Sequence, residues 1–194
     1  MTRICVFAGS SAGSRPAYRE AAERLGLALV DRGLGLVYGG ARVGLMGVVA
    51  DTVLRAGGEV IGVIPEALVS KEIAHDRLTE LRVVSSMHER KATMADLSDA
   101  FIAMPGGWGT WEECFEILTW SQLGLHQKPC GLLNADGYFD RLLAFMTHAV
   151  DEGFVRHEHA SMMPVADTPD GLLDQLATYT PPNVEKWIEE IRRT

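Results

Sequence analysis

The feature that most constrains this chain is a repeated unit: a short apolar run, a glycine-bearing or polar turn, then a stretch of helical periodicity. The runs at 3–8, 36–38, 60–64, 81–84, 100–103, 130–133 and 163–165 are short and almost continuously apolar. That pattern belongs to strands buried on both faces, as in a parallel sheet. Between them, helices are expected from Pro16 until Gly33 and Gly35, after Gly47 to about Ala56, and at 87–97, 111–122, 138–152 and 168–177. Proline suits a first helical turn, and Thr168-Pro169 repeats the signal as cap and first position. Strands and helices in alternation predict an α/β fold, a doubly wound parallel sheet with helices on both faces. Residues 66–79 have no clear period and are expected to be a loop with one helical turn. The length suits a single domain, 1–194, with one sizeable core. Pro181-Pro182 breaks the chain before a last helix at 184–192, so 183–194 is read as a C-terminal helix and tail.

In such a sheet, ligands bind beyond the carboxyl ends of the strands. Three glycine-bearing loops fall at that edge: 9–14, 39–47 and 105–110. The second carries Gly40, Gly44 and Gly47, the wrong spacing for a dinucleotide fingerprint, and no Gly-Lys-Ser/Thr follows any glycine run. The third is the most informative. Pro105-Gly106-Gly107-Trp108-Gly109-Thr110-Trp111-Glu112-Glu113 links a strand to a helix. Three glycines within four residues permit positive φ and close approach of a ligand. The helix that follows aims unpaired N–H groups and its positive dipole end at the turn, which makes an anion site, with phosphate the foremost anion. Glu112 and Glu113 are out of place in a pure phosphate site and point to a need for an acid or base. The competing reading makes Thr110 and Glu113 an ordinary capping box.

Arg90 is the second chemical candidate. Met87, Arg90, Met94 and Leu97 share one helical face. An arginine in an apolar stripe needs a partner, either a carboxylate or a phosphate, unless its stem packs and its head reaches water. Lys91 offers a second positive charge or a solvated lysine. His88 reads as a hydrogen-bonded structural residue. His157-Glu158-His159 lies in a polar stretch with no third ligand nearby, so no metal site is expected. Ser10, Ser11 and Ser14 suit phosphate or ribose, or the cap of the first helix. Trp108, Trp111 and Trp120 read as core or interface. The 111–122 helix is apolar on more than one side, through Trp111, Cys114, Phe115 and Leu118 and also Ile117 and Trp120. Burial on two sides suggests a homodimer interface.

The net charge of -8, with no block of Lys or Arg, argues against nucleic acid or an anionic membrane as partner. No apolar run approaches the ~20 residues of a membrane span. The N-terminus enters a strand directly, without a signal-peptide layout. Cys5, Cys114 and Cys130 sit in apolar contexts without metal spacing and read as buried free thiols of a reducing cytoplasm.

The 105–113 segment resembles the PGGxGTxxE motif of the LOG ("Lonely guy") family. Met87-His88-Glu89-Arg90-Lys91 is similar to that family's second motif, and Tyr38-Gly39-Gly40 with Gly44-Leu45-Met46-Gly47 to a third. The resemblance spans roughly residues 3–177, with Ala41 standing where the family usually has a third glycine. It implies a Rossmann-like fold and a cytokinin riboside 5′-monophosphate phosphoribohydrolase: an enzyme that hydrolyses the N-glycosidic bond of an adenine-type nucleoside 5′-monophosphate, with no metal or cofactor, as a dimer with the site near the interface. Carried over by residue, it makes Arg90 and Glu113 the catalytic pair. It makes Lys91, Gly107, Trp108, Gly109, Thr110, Glu112 and Thr119 nucleotide contacts; Gly106 of the same turn and Ser10, Gly40 and Gly44 from the other loops are further candidate contacts. An older label for similar sequences, lysine decarboxylase, fits poorly, because none of the four lysines has a pyridoxal-phosphate context. The alternative to a hydrolase is a carrier of a phosphorylated cofactor, like the molybdenum-cofactor carriers, which bind without turnover.

Overall fold

The computed structural model describes residues 1–69 and 74–181. Its strands are β1 (Arg3–Phe7), β2 (Gly35–Tyr38), β3 (Val60–Pro65), β4 (Glu80–Val84), β5 (Ala100–Ala103), β6 (Cys130–Leu133) and β7 (Val165–Ala166). They form one sheet in the order β4-β3-β2-β1-β5-β6-β7. Every neighbouring pair is parallel. The chain winds outward from β1 in both directions, so the topological switch point lies between β1 and β5. That is where an α/β sheet opens a crevice at the carboxyl ends of its strands.

Around the sheet run α1 (Pro16–Asp31), α2 (Gly44–Arg55), α3 (Glu66–Val69), α4 (Met87–Leu97), α5 (Trp108–Gln122), α6 (Asp140–Asp151), α7 (His157–Ala160) and α8 (Pro169–Ala177). Side chains alternate across each strand. Ile4 and Val6 of β1 therefore join Leu25, Leu29, Val49, Val53 and Leu172 of α1, α2 and α8 in one core. Cys5 and Phe7 face the other way, into a second core with Met94, Cys114 and Ile117 of α4 and α5. Both faces of the sheet are thus covered, as the continuous apolar runs require. All three cysteines are buried free thiols. Among the described residues no helix is long and apolar enough to cross a membrane.

Several boundaries differ from the sequence expectation, and two of them matter for function. α2 begins at Gly44, so residues 44–47 form its first turn and not the end of a loop. α5 begins at Trp108, three residues early, with Gly107 as its cap. Residues 157–160 form a short helix in place of a polar loop, and the 3-10 turn Ala135–Gly137 delays α6 to Asp140. β7 starts at Val165, two residues late. No serine caps α1, whose cap position is Arg15, without a side-chain hydrogen bond. The expected helix at 184–192 lies outside the described residues.

Candidate active site

The capping-box reading of Thr110 and Glu113 does not survive the early start of α5. Thr110 is the third residue of the helix and is buried, so it is no cap. A related reciprocal cap stands at α4, with its return bond one residue before the cap. Ser86 is the cap, and its Oγ accepts from Glu89 N at 3.1 Å. The Glu89 carboxylate accepts in turn from Ser85 N at 2.7 Å. The Ser85 hydroxyl donates to the same oxygen, and this bond first, with the N–H bond second, holds the Glu89 carboxyl below the usual range.

The glycines of the turn also serve a different purpose from the one expected. None of Gly106, Gly107 and Gly109 has a left-handed φ. A Cβ at Gly106 would lie 2.1 Å from Thr110 Oγ1 and 2.9 Å from Gly9 N, so this position is a glycine because neighbours fill its space. Gly107 and Gly109 meet nothing within 4 Å, and their open side leaves the backbone at the start of α5 approachable. Trp108 between them is 84 % exposed, so it belongs to no core among the described residues.

Arg90 is buried, and its surroundings fix the plane of its guanidinium. Nε donates to Val63 O at 3.1 Å and Nη2 to Gly39 O at 3.2 Å. Nη1 lies 3.9 Å from Oε1 of Glu113, whose side chain is itself 13 % exposed. The carboxyl ends of β2 and β3 thus hold the arginine by backbone carbonyls, and α5 brings the carboxylate to it. Cys5 lies beneath the pair. Burial pushes its thiol well up and the Glu113 charge adds to the rise, so it stays protonated.

Lys91 bridges α4 and α5. Its Nζ meets Glu112 Oε1 at 2.6 Å and Glu116 Oε2 at 2.8 Å. Burial works to lower the ammonium, but the hydrogen bonds and charges of the two glutamates outweigh it, and the pKa stands above the ordinary lysine value. Glu112 is therefore a partner of Lys91. Ser10 lines a cavity of about 270 Å³ at the switch point, with Gly9, Ser11, Gly106, Gly107 and Tyr138 among its walls. Gly9 N donates to Pro105 O at 3.0 Å and ties the first and third loops together.

Three candidates take other positions. Gly44 has φ +58, and a Cβ there would lie 2.2 Å from the Ser10 carbonyl carbon, so this glycine lets α2 approach the first loop. Gly40 is buried with φ +80, next to Ile64 and Leu81, and its carbonyl accepts from His75 N at 2.9 Å. Thr119 lies far along α5. Its Oγ1 donates to Phe115 O, and it borders an apolar groove between α5 and α6 that includes Phe115, Phe145 and Met146. No cluster of His, Cys, Asp or Glu suited to a metal occurs among the described residues.

Glu116 and Tyr138 were not anticipated, and the 9–14 loop was expected at this edge without the bond that Gly9 makes to the turn. Glu116 had a weak signal, one helical turn beyond Glu112. Tyr138 and Gly9 reach the turn from 32 residues ahead and 96 residues behind; no local pattern announces such contacts.

Comparison with known proteins matches these elements. Residues 46–176 fit the family model described as possible lysine decarboxylase. A probable cytokinin riboside 5′-monophosphate phosphoribohydrolase of Oryza sativa subsp. japonica is 53% identical over 180 residues, covering 93% of this chain and 73% of that one. A cytokinin riboside 5′-monophosphate phosphoribohydrolase of Arabidopsis thaliana is 51% identical, covering 92% of this chain and 82% of that one. Among solved structures, a molybdenum cofactor binding protein from Rippkaea orientalis is similar with a TM-score of 0.67 at 25% identity, covering 91% of this chain and 96% of that one. The molybdenum cofactor carrier protein of Chlamydomonas reinhardtii, at 22% identity and TM-score 0.67 over 92% of this chain and 99% of that one, shares the fold. At about half identity over nearly its whole length, this chain belongs to the LOG family.

Proposed function

We propose that the protein hydrolyses the N-glycosidic bond of adenine-type nucleoside 5′-monophosphates, cytokinin ribotides included, and releases free base and ribose 5-phosphate. The observation that carries this reading is the Arg90–Glu113 pair: a buried guanidinium, fixed by two backbone carbonyls, with its remaining nitrogen turned to a carboxylate near the start of α5. Glycoside cleavage passes through an oxocarbenium-like state that a nearby carboxylate stabilises, or that water activated by it captures. In this scheme the C1′–N9 bond breaks, water oxygen bonds to C1′, and the base leaves with a proton. Glu113 is the carboxylate. Arg90 holds Glu113 in place and balances its charge.

The 5′-phosphate is assigned to the backbone N–H groups of Gly106, Gly107, Trp108, Gly109 and Thr110, where the helix dipole favours negative charge. Ser10 offers a hydroxyl from the facing loop. Lys91 and Glu112 border this region as an ion pair. The scheme draws on a carboxylate, water and oriented dipoles, and calls for no metal or cofactor. The relatives at about half identity are named hydrolases, while the cofactor carriers stand at 22–25%; this favours turnover over carriage. The working form is assigned as a homodimer in the cytoplasm, with the apolar groove of Phe115 and Phe145 at the contact and the site near it.

The test is direct. Purified protein incubated with AMP, or with isopentenyladenosine monophosphate, is expected to release free base and ribose 5-phosphate in equal amounts, read by chromatography. Stoichiometric binding without free base would establish a carrier instead.

A further inference from the structure

Tyr138 stands at the carboxyl end of β6, outside all three glycine loops. Its hydroxyl donates to the Gly106 carbonyl at 2.5 Å. Its ring is braced from two sides, edge-on to Tyr18 at 5.6 Å and 81° and edge-on to Phe139 at 4.8 Å and 85°. Tyr18 in turn packs on the first loop, where a Cβ at Gly13 would lie 2.7 Å from its ring. Phe139 is fully buried, and its N–H donates to Asn134 Oδ1 at 2.8 Å. The hydroxyl is therefore delivered from a rigid base to a single carbonyl of the turn.

That carbonyl belongs to the peptide between Gly106 and Gly107. A peptide flanked by two glycines meets little steric resistance to flipping, because neither neighbour carries a Cβ. Its two orientations have opposite consequences. In the observed one the carbonyl points to Tyr138, and the N–H of Gly107, the cap residue of α5, points the opposite way across the trans peptide. Flipped, the partly negative carbonyl would take the place of that N–H at the start of the helix. The preceding carbonyl, Pro105 O, is tied off by Gly9 N, and the following one, Gly107 O, accepts from Trp111 N. Gly106 O is the carbonyl of this stretch that depends on a side chain.

We propose that Tyr138 is a positioning residue that locks the Gly106–Gly107 peptide with its N–H presented to the phosphate of the substrate. This rests on the reading that the start of α5 holds the phosphate. Tyr138 touches neither the sugar nor the base in this scheme; it keeps an anion site from being contaminated by a carbonyl dipole.

Tyr138→Phe removes the hydroxyl and retains the ring contacts. Ribose 5-phosphate binding, measured by calorimetry, is expected to weaken about tenfold, the scale of one hydrogen bond to a charged site. Adenine binding is expected to stay unchanged. With AMP the loss should fall on KM and leave kcat within about twofold, because the reacting groups are untouched. The melting temperature serves as the folding control, and Tyr138→Trp, which keeps an aromatic ring but places no hydroxyl, should show the same loss of ribose 5-phosphate affinity. Equal ribose 5-phosphate affinity in wild type and Tyr138→Phe, or an equal loss for adenine, overturns the assignment. Failure of the wild type to release adenine would overturn the hydrolase reading separately, since the calorimetric readout needs no turnover.

Discussion

Arg90 and Glu113 face each other from α4 and α5 with Nη1 and Oε1 3.9 Å apart, yet the arginine's hydrogen bonds to oxygen go to the backbone, at Val63 O and Gly39 O, while Nη1 also reaches Met87 Sδ at 3.9 Å. The guanidinium is thus a fixed part of the sheet's carboxyl edge, and the carboxylate is what approaches it. This distinguishes the pair from a surface salt bridge, where both side chains are mobile and the net contribution is small.

Glu113→Gln keeps size and polarity but removes the charge. Base release from AMP should fall about 10³-fold in kcat, within the usual range for losing an acid–base group, with KM and the melting temperature little changed. Steady-state kinetics and a thermal melt check both halves.

Arg90→Ala behaves differently, because it leaves two buried carbonyls without their donors and a cavity beside them. It should cost stability, about 3 kcal/mol, as well as activity. Arg90→Lys retains a charge but cannot reach both carbonyls and Glu113 with fixed geometry. It should recover part of the stability and little of the rate. Urea denaturation beside an activity assay separates the two effects.

The turn glycines should divide by role. Gly106→Ala drives a methyl group into Thr110 Oγ1 and Gly9 N, so it should destabilise the fold by about 2 kcal/mol or more. Gly107→Ala meets nothing within 4 Å and should melt like wild type. A raised KM in Gly107→Ala, with unchanged stability, would report a ligand held against that backbone.

Asp99 sets an acid limit to stability. Its carboxylate accepts from Thr2 N, Thr2 Oγ1 and Arg3 N, tying the entry of β1 to that of β5. The backbone hydrogen bond from Thr2 is the chief reason its pKa lies below the ordinary value of 3.8. A depressed pKa contributes stability above the unfolded value and loses it as pH falls through the folded one. Asp99→Ala should therefore melt a few degrees lower from about pH 5 to 8, with the gap closing below 3.8. Melting curves across that range give the answer.

The apolar groove between α5 and α6 should mark the subunit contact. Phe145 is 65 % exposed and Phe115 40 % exposed beside it. Sedimentation velocity is expected to give a dimer for wild type and a monomer for the double variant Phe115→Glu, Phe145→Glu, with the same far-UV dichroism. A dimer unaffected by the two charges would move the contact elsewhere.

The sequence by itself determined the sheet and most of its elements. The runs at 100–103 and 130–133 and the helix at 87–97 carry their own signal in continuous apolarity and in three- and four-residue spacing, and they stand in the structure at the residues expected. It also singled out Arg90, because a charge in an apolar stripe needs an explanation. Tertiary structure alone decided what those residues do. Thr110 and Glu113 have the spacing of a capping box, and nothing local says otherwise; the helix starts at Trp108, next to a Gly106 packed against Gly9 and Thr110, a contact that depends on where β1 and β5 lie. Lys91 looked like a free cation until α5 placed Glu112 and Glu116 beside it. Tyr138 carried no signal at all, since its partner is 32 residues away. Periodicity and turn chemistry act over a few residues and are legible one-dimensionally. Pairings between the ends of different strands are fixed by the order β2-β1-β5-β6, and only the folded sheet brings them within a hydrogen bond.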